Sequence, residues 1–254
     1  MKCNDYRTRK LDLHLAAPRI LVGRNALRPS IAFAHHRLCI MHVAVIGANG
    51  GIGRRLLPRL ADAGHTPIGI VRSEKQFDRI REAGGTPRFG DLEGQFAPAL
   101  DGTDAVVFTA GAGGSTGWDK TLLVDLWGAR RAVDACVERS IDRFVMISAS
   151  GAADPDAGPE PLRPYLVAKR CADDYLQTAP LQETILRPTT LTDDAETGRV
   201  ATGATARADR APHIPRADVA RAVVACLDDA STIGRAIELY GGDTPIEDAI
   251  RPAT

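Results

Sequence analysis

The sequence predicts an α/β protein built on a doubly wound parallel sheet, in one domain with a short C-terminal substrate-side segment. Three observations predict it. An apolar run, Val43-Ala-Val-Ile46, passes through a glycine-rich turn, Gly47-Ala-Asn49-Gly50-Gly51-Ile52-Gly53, into an amphipathic helix marked by Leu56, Leu57 and Leu60. Short apolar runs then alternate with longer amphipathic segments along the chain. Neither an internal repeat nor a second hydrophobic core interrupts the alternation. Short buried strands separated by helices are the pattern of a parallel sheet covered on both faces.

In chain order, the first forty residues stand apart. They carry Lys2, Arg7, Arg9, Lys10, Arg19, Arg24, Arg28 and Arg37, with few acids and no sustained period. Met41 directly precedes the first apolar run. Residues 1–40 therefore read as a poorly ordered or mis-assigned N-terminal extension, and 41–254 as the folded domain. A transit peptide is the alternative, against which Asp5, Asp12 and several turn-formers count. Strands are predicted at 42–46, 66–71, 86–89, 105–109, 143–148, 183–186 and 236–240, and helices at 51–63, 74–83, 121–139, 162–178 and 216–229. The stretch from Pro188 to Arg216 is poor in apolar residues and rich in Thr, Ala, Asp and Gly. A mobile loop beside the substrate is expected there.

The strand–turn–helix unit is the physical recipe for holding a dinucleotide diphosphate. Gly47 allows the sharp turn, Gly50 clears space for phosphates, and Gly53 lets the helix pack on the strand. The helix N-terminus, with Gly51 and Ile52, offers free N–H groups and the positive end of a dipole. The second strand ends at Val71-Arg72-Ser73, where an acid commonly bonds the ribose hydroxyls of NAD. Arg72 instead suits a 2′-phosphate, with Ser73 and Lys75 adding a hydrogen bond and a charge. NADP(H) is expected, with NAD second. Asp91 and Leu92, after the third strand, would reach the adenine, although Asp91 also suits a cap. Thr109, Ala110 and Gly111, after the fourth, leave room for ribose and nicotinamide.

Tyr165 and Lys169 stand at i and i+4, hence on one helix face. The lysine charge favours the phenolate, so a tyrosine pKa drawn toward neutrality is expected, suited to proton exchange with a carbonyl or alcohol. The fifth strand ends in Ile147-Ser148-Ala149-Ser150-Gly151, and a serine there could hold the substrate oxygen.

Together, Gly47-x-x-Gly50-x-x-Gly53, Ser148/Ser150, Tyr165-x-x-x-Lys169 and Arg187-Pro188 resemble the short-chain dehydrogenase/reductase superfamily. The resemblance is to its atypical, single-domain NAD(P)-binding members, which include flavin/biliverdin reductase-like and sugar-epimerase-like proteins. It covers 41–250, including Asp119–Gly128 and Gly241–Glu247. Gly47, Gly51 and Gly53 equally fit a G-x-x-x-G-x-G spacing. The resemblance implies Tyr165, Lys169 and a serine, Ser150 before Ser148, as the catalytic set. It also places Asp125 where an asparagine often sits in the extended branch. The implied activity is an NADP(H)-dependent oxidoreductase acting on a small carbonyl, quinone or flavin-like substrate. The alternatives are a non-catalytic NADP(H) sensor and, disfavoured by the short region after Pro188, a nucleotide-sugar epimerase or dehydratase.

Composition limits the partners. Lysine plus arginine balance aspartate plus glutamate at 32 each, which argues against a dominant attraction to nucleic acid or an anionic membrane. No apolar run approaches a bilayer span. Five scattered cysteines without a C-x-x-C pair read as reduced thiols in a cytoplasmic protein, and no metal site is expected. The expected partner is a small-molecule substrate, bound by a monomer or homodimer.

Overall fold

The computed structural model describes residues 40–113, 116–203 and 213–252, so the expectation for the N-terminal extension lies outside it apart from Ile40. The strands are β1 (His42–Ile46), β2 (Thr66–Val71), β3 (Thr86–Phe89), β4 (Ala105–Phe108), β5 (Arg143–Ile147), β6 (Gln182–Pro188), β7 (Thr190–Thr192), β8 (Arg199–Thr202), β9 (His213–Pro215), β10 (Arg235–Gly241) and β11 (Thr244–Pro245). The helices are α1 (Gly53–Asp62), α2 (Phe77–Glu82), α3 (Trp118–Lys120), α4 (Ala129–Arg139), α5 (Arg163–Thr178), α6 (Arg216–Asp228) and α7 (Ile246–Ala249). A π-helical stretch, Thr121–Gly128, joins α3 to α4.

The main sheet runs β11-β8-β10-β6-β5-β4-β1-β2-β3. Neighbours from β3 through to β10 are parallel, whereas β8 runs antiparallel to β10 and β11 antiparallel to β8. The order reverses between β1 and β4, which opens a crevice at their C-terminal ends.

Alternate side chains of each central strand enter opposite cores. Val43 and Val45 pack with Leu56, Leu57 and Leu60 of α1 and Val219 and Val223 of α6. Ala44 and Ile46 pack with Val133 and Cys136 of α4 and Leu176 of α5. The leucine stripe of α1 is fully buried, and each such side chain contributes roughly 1.5–3 kcal/mol of transfer free energy. Both faces of the sheet are therefore covered, which is why its strands read as continuous apolar runs.

The stretch 188–216 is not the loop its composition suggested. Three of its segments form β7, β8 and β9: β8 joins the main sheet with Val200 and Ala201 buried, and β7 pairs with β9. The small side chains that weaken a strand signal still fit an antiparallel addition, paired as Leu239↔Thr202 and Tyr240↔Ala201. Residues 204–212 of that stretch lie outside the described residues.

Candidate active site

The turn after β1 is held by the residues that its sequence singles out. Gly47 has φ +86°, and a methyl group there would stand 2.7 Å from the Ala110 nitrogen. On Gly53 a methyl group would stand 2.5 Å from the Gly47 carbonyl oxygen. The Gly50 N–H donates to that carbonyl at 2.9 Å, and the Thr109 hydroxyl donates to the Ile46 carbonyl at 3.0 Å. The first helical turn holds no acid, and no side chain caps it. Among the described residues the Gly51 and Ile52 N–H groups have no hydrogen-bond acceptor. The Asn49 Oδ1 is buried without a partner. A bare helix start and an orphaned amide oxygen fit a phosphate-bearing dinucleotide that carries its own hydroxyl donors.

A cavity of about 250 Å³ extends from this turn along the ends of β1, β2 and β4. Gly47, Asn49, Gly50, Arg72, Asp91, Leu92, Thr109, Ala110 and Gly111 all line it, as does Gln76, which sequence reasoning passed over. Ser73 does not line it. Arg72 is exposed and, among the described residues, forms no ion pair. Asp91 is occupied locally: its Oδ1 accepts from the Glu93 N–H at 2.9 Å in an Asx turn, and no helix starts there for it to cap.

A second chamber, about 740 Å³, shares Gly50, Thr109, Ala110 and Gly111 with the first. Its far wall carries Ser148, Tyr165, Lys169 and Asp125, and its mouth carries Trp118, Leu162 and Leu191. The π-helical stretch brings Asp125 into this wall, and π-helical turns recur at functional sites. Lys169 is buried, with its Nζ donating to the Ile147 carbonyl at 2.8 Å and lying 3.9 Å from Asp125 Oδ1. Asp125 Oδ2 accepts from the Ala112 N–H at 2.9 Å.

The structure changes two expectations here. The chamber is lined by Ser148, not Ser150. Ser150 Oγ lies 3.1 Å from the Tyr240 hydroxyl of β10, because the chain leaves β5 after Ile147 and strand alternation no longer sets direction. Ser148 in turn donates to Asp173 Oδ2 at 2.9 Å, the oxygen that also accepts from Arg187 Nε at 2.9 Å. The second change concerns the phenol. Burial, followed by the negative charges of Asp125 and Asp173, pushes the Tyr165 pKa up, not toward neutrality. Burial likewise pulls the Lys169 ammonium down, opposed by the same two carboxylates. Both carboxyls are raised, first by burial, with Lys169 pulling each back.

Two polar residues of the chamber carry little sequence signal. Asp125 is a lone acid in the apolar run Leu122-Leu-Val-Asp-Leu-Trp127, and beyond the family resemblance that isolation is its clue. Arg216 follows Pro215 at an ordinary helix start and lines the chamber only because the fold returns α6 to the glycine turn.

A family model described as NAD(P)H-binding matches residues 47–230. The chain belongs to that family. Its resemblance to the atypical single-domain short-chain dehydrogenase/reductases therefore stands. A Bacillus subtilis relative, called an uncharacterized sugar epimerase, YhfK, is 44% identical over 83% of this chain and 99% of its own length. A Bacillus halodurans structure assigned to the NAD-dependent epimerase/dehydratases is 43% identical, with a TM-score of 0.80 over 83% of this chain and 98% of its own. The Lactococcus lactis oxidoreductase ylbE is 26% identical, with a TM-score of 0.74 over 83% of this chain and 95% of its own. Within this NAD(P)H-binding chain, the described residues hold no cluster of potential metal ligands, and none of their helices is long and apolar enough to cross a membrane.

Proposed function

We propose that the protein is an NADP(H)-dependent oxidoreductase that reduces a small carbonyl, quinone or flavin-like substrate in the larger chamber. The observation that carries this reading is the shared wall: Tyr165, Lys169 and Ser148 face a chamber that is continuous with the dinucleotide turn. NADPH, bound along the turn, would supply the hydride. Arg72 supports the choice of the 2′-phosphorylated cofactor, as an exposed guanidinium on the adenosine-side cavity.

Tyr165 then serves as the general acid. With its pKa raised, its Oη holds a proton at neutral pH and can pass it to the substrate oxygen. That setting favours reduction over oxidation. Lys169 holds the helix face against β5 through the Ile147 carbonyl and lies against Asp125 in the same wall. Ser148, whose proton is committed to Asp173, turns oxygen lone pairs and no donor toward the substrate. Trp118, Leu162 and Leu191 supply an apolar mouth suited to a flat organic substrate.

The decisive experiment is Tyr165→Phe, assayed with NADPH against a panel of quinones, aldehydes and flavins. Turnover falls by roughly 10²–10⁴-fold while NADPH affinity stays within a few-fold. Unchanged turnover would refute the acid role, and no turnover in either protein with NADPH still bound would favour a cofactor-binding sensor. The names of the relatives keep an epimerase reading in view. An epimerase would interconvert nucleotide sugars with no net consumption of NADPH, and the same panel with a sugar nucleotide added tests this.

A further inference from the structure

We propose that Arg216, the first residue of α6, binds the cofactor diphosphate from above the glycine turn, and that Asp193 holds it there in the free protein. This inference rests on the reading that the turn binds NAD(P)H. The Arg216 stem lies across Gly51: a methyl group on that glycine would stand 2.7 Å from Arg216 Cδ and 2.9 Å from Nε. Gly51 leaves room for this stem, which any larger side chain there would push aside. Arg216 and Gly50, Gly51 and Ile52 line the same chamber.

The charge balance around it is incomplete. Asp193 Oδ1 lies 3.1 Å from Arg216 Nη1 and 3.1 Å from Arg55 Nη2, so two guanidinium groups share one carboxylate oxygen. Arg55 is also tied to the turn, donating to the Gly51 carbonyl at 2.8 Å. One positive charge is left over beside the turn. The Asp193 side chain is 72% exposed, which makes it a screened and weak partner. A diphosphate offers more charge and several acceptor oxygens to the same planar fork, so it displaces Asp193 readily. Because Arg216 lines the larger chamber and not the adenosine-side cavity, its target is the phosphate on the nicotinamide side.

Calorimetric titration of the full chain with three ligands tests this. The ligands are NADPH, 2′-phospho-ADP-ribose, which keeps the diphosphate, and 2′,5′-ADP, which lacks the second phosphate. Arg216→Ala and the length-preserving Arg216→Gln should weaken the first two by roughly 10-fold or more and 2′,5′-ADP by less than about 2-fold. Arg216→Lys should recover part of the loss. Asp193→Asn should tighten NADPH binding by about 2-fold or more, since the competing carboxylate is gone. Equal affinities of wild type, Arg216→Ala and Arg216→Gln for all three ligands would overturn the proposal. So would a rise in substrate KM alone, which would assign the cation to an anionic substrate. Failure of the wild type to bind any of the three would refute the dinucleotide reading itself, a result separable from an unaffected Arg216 variant.

Discussion

Replacing Arg72 by alanine tests which cofactor the chain selects. Arg72 is exposed on the wall of the smaller cavity, with Val71 and Gln76, just past the end of β2. Among the described residues it has no acidic partner, so its loss breaks no ion pair that stabilises the fold. A hydrogen bond to a charged group contributes roughly 1.5–3 kcal/mol, which corresponds to ~10–100-fold in affinity. Solvent screening at an exposed position favours the lower half of that range at physiological salt. NADPH affinity should therefore fall by roughly 10–30-fold, and NADH affinity by less than about 2-fold. Titration of the reduced-nicotinamide fluorescence at two salt concentrations reads both numbers. The NADPH penalty should shrink at the higher salt, because the lost term is electrostatic. Equal losses for the two cofactors would refute the assignment of Arg72 to the 2′-phosphate.

Three further perturbations follow from the same geometry. The reductive rate should stay flat from about pH 6 to 9 with respect to Tyr165, since burial and two carboxylates hold the phenol protonated beyond its ordinary 10.0; a Tyr165-dependent fall near neutrality would contradict this. Asp173→Ala should cost roughly 1–3 kcal/mol at pH 7 in chemical unfolding, by leaving the buried Arg187 and Ser148 donors without their acceptor. Because burial raises the Asp173 pKa in the fold, the wild-type site gains stability as pH falls toward 3.8 and loses it as pH rises through the folded value, so the wild-type advantage over Asp173→Ala should widen on acidification, and a narrowing would refute the direction. Alkylation at pH 8 followed by peptide mapping should label exposed Cys171 far faster than Cys136 and Cys226, whose thiols burial pushes up to about 12; fast labelling of either buried thiol in the native state would refute this.

The parts of the site legible in the sequence are those fixed by local geometry. The glycine turn is legible because a positive φ at Gly47 and the close contact at Gly53 admit no other residue. Tyr165 and Lys169 are legible because i and i+4 share a helix face. The choice of serine is not, since the chain leaves β5 after Ile147 and ends the alternation that would align Ser150. β8 was hidden because its pairing with β10 supplies the order that its small side chains do not announce. The direction of the tyrosine shift was misjudged for a related reason. Lys169 stands beside Tyr165 in sequence, but Asp125 arrives from the π-helical stretch, and the fold buries Asp173. Arg216 could not be read at all, since its contact with Gly51 is tertiary.

Burial and the chamber's charges explain why its phenol keeps its proton. Lys169 taken alone would stabilise a phenolate, as a lysine one turn away usually suggests. Here its ammonium is buried, bonded to the Ile147 carbonyl and opposed by two carboxylates on separate elements. Asp173 is itself tied to Arg187. For Tyr165 the cost of burying a charge comes first, the carboxylates of Asp125 and Asp173 add to it, and both favour the neutral phenol. Anything that removes negative charge from this group without removing Lys169 should move the phenol back down. Asp125→Asn is the simplest such change, since the amide oxygen can still accept the Ala112 N–H. On the proposed reading, an acid held protonated in this way would act beside a reduced cofactor, and Asp125 and Asp173 help to set that direction.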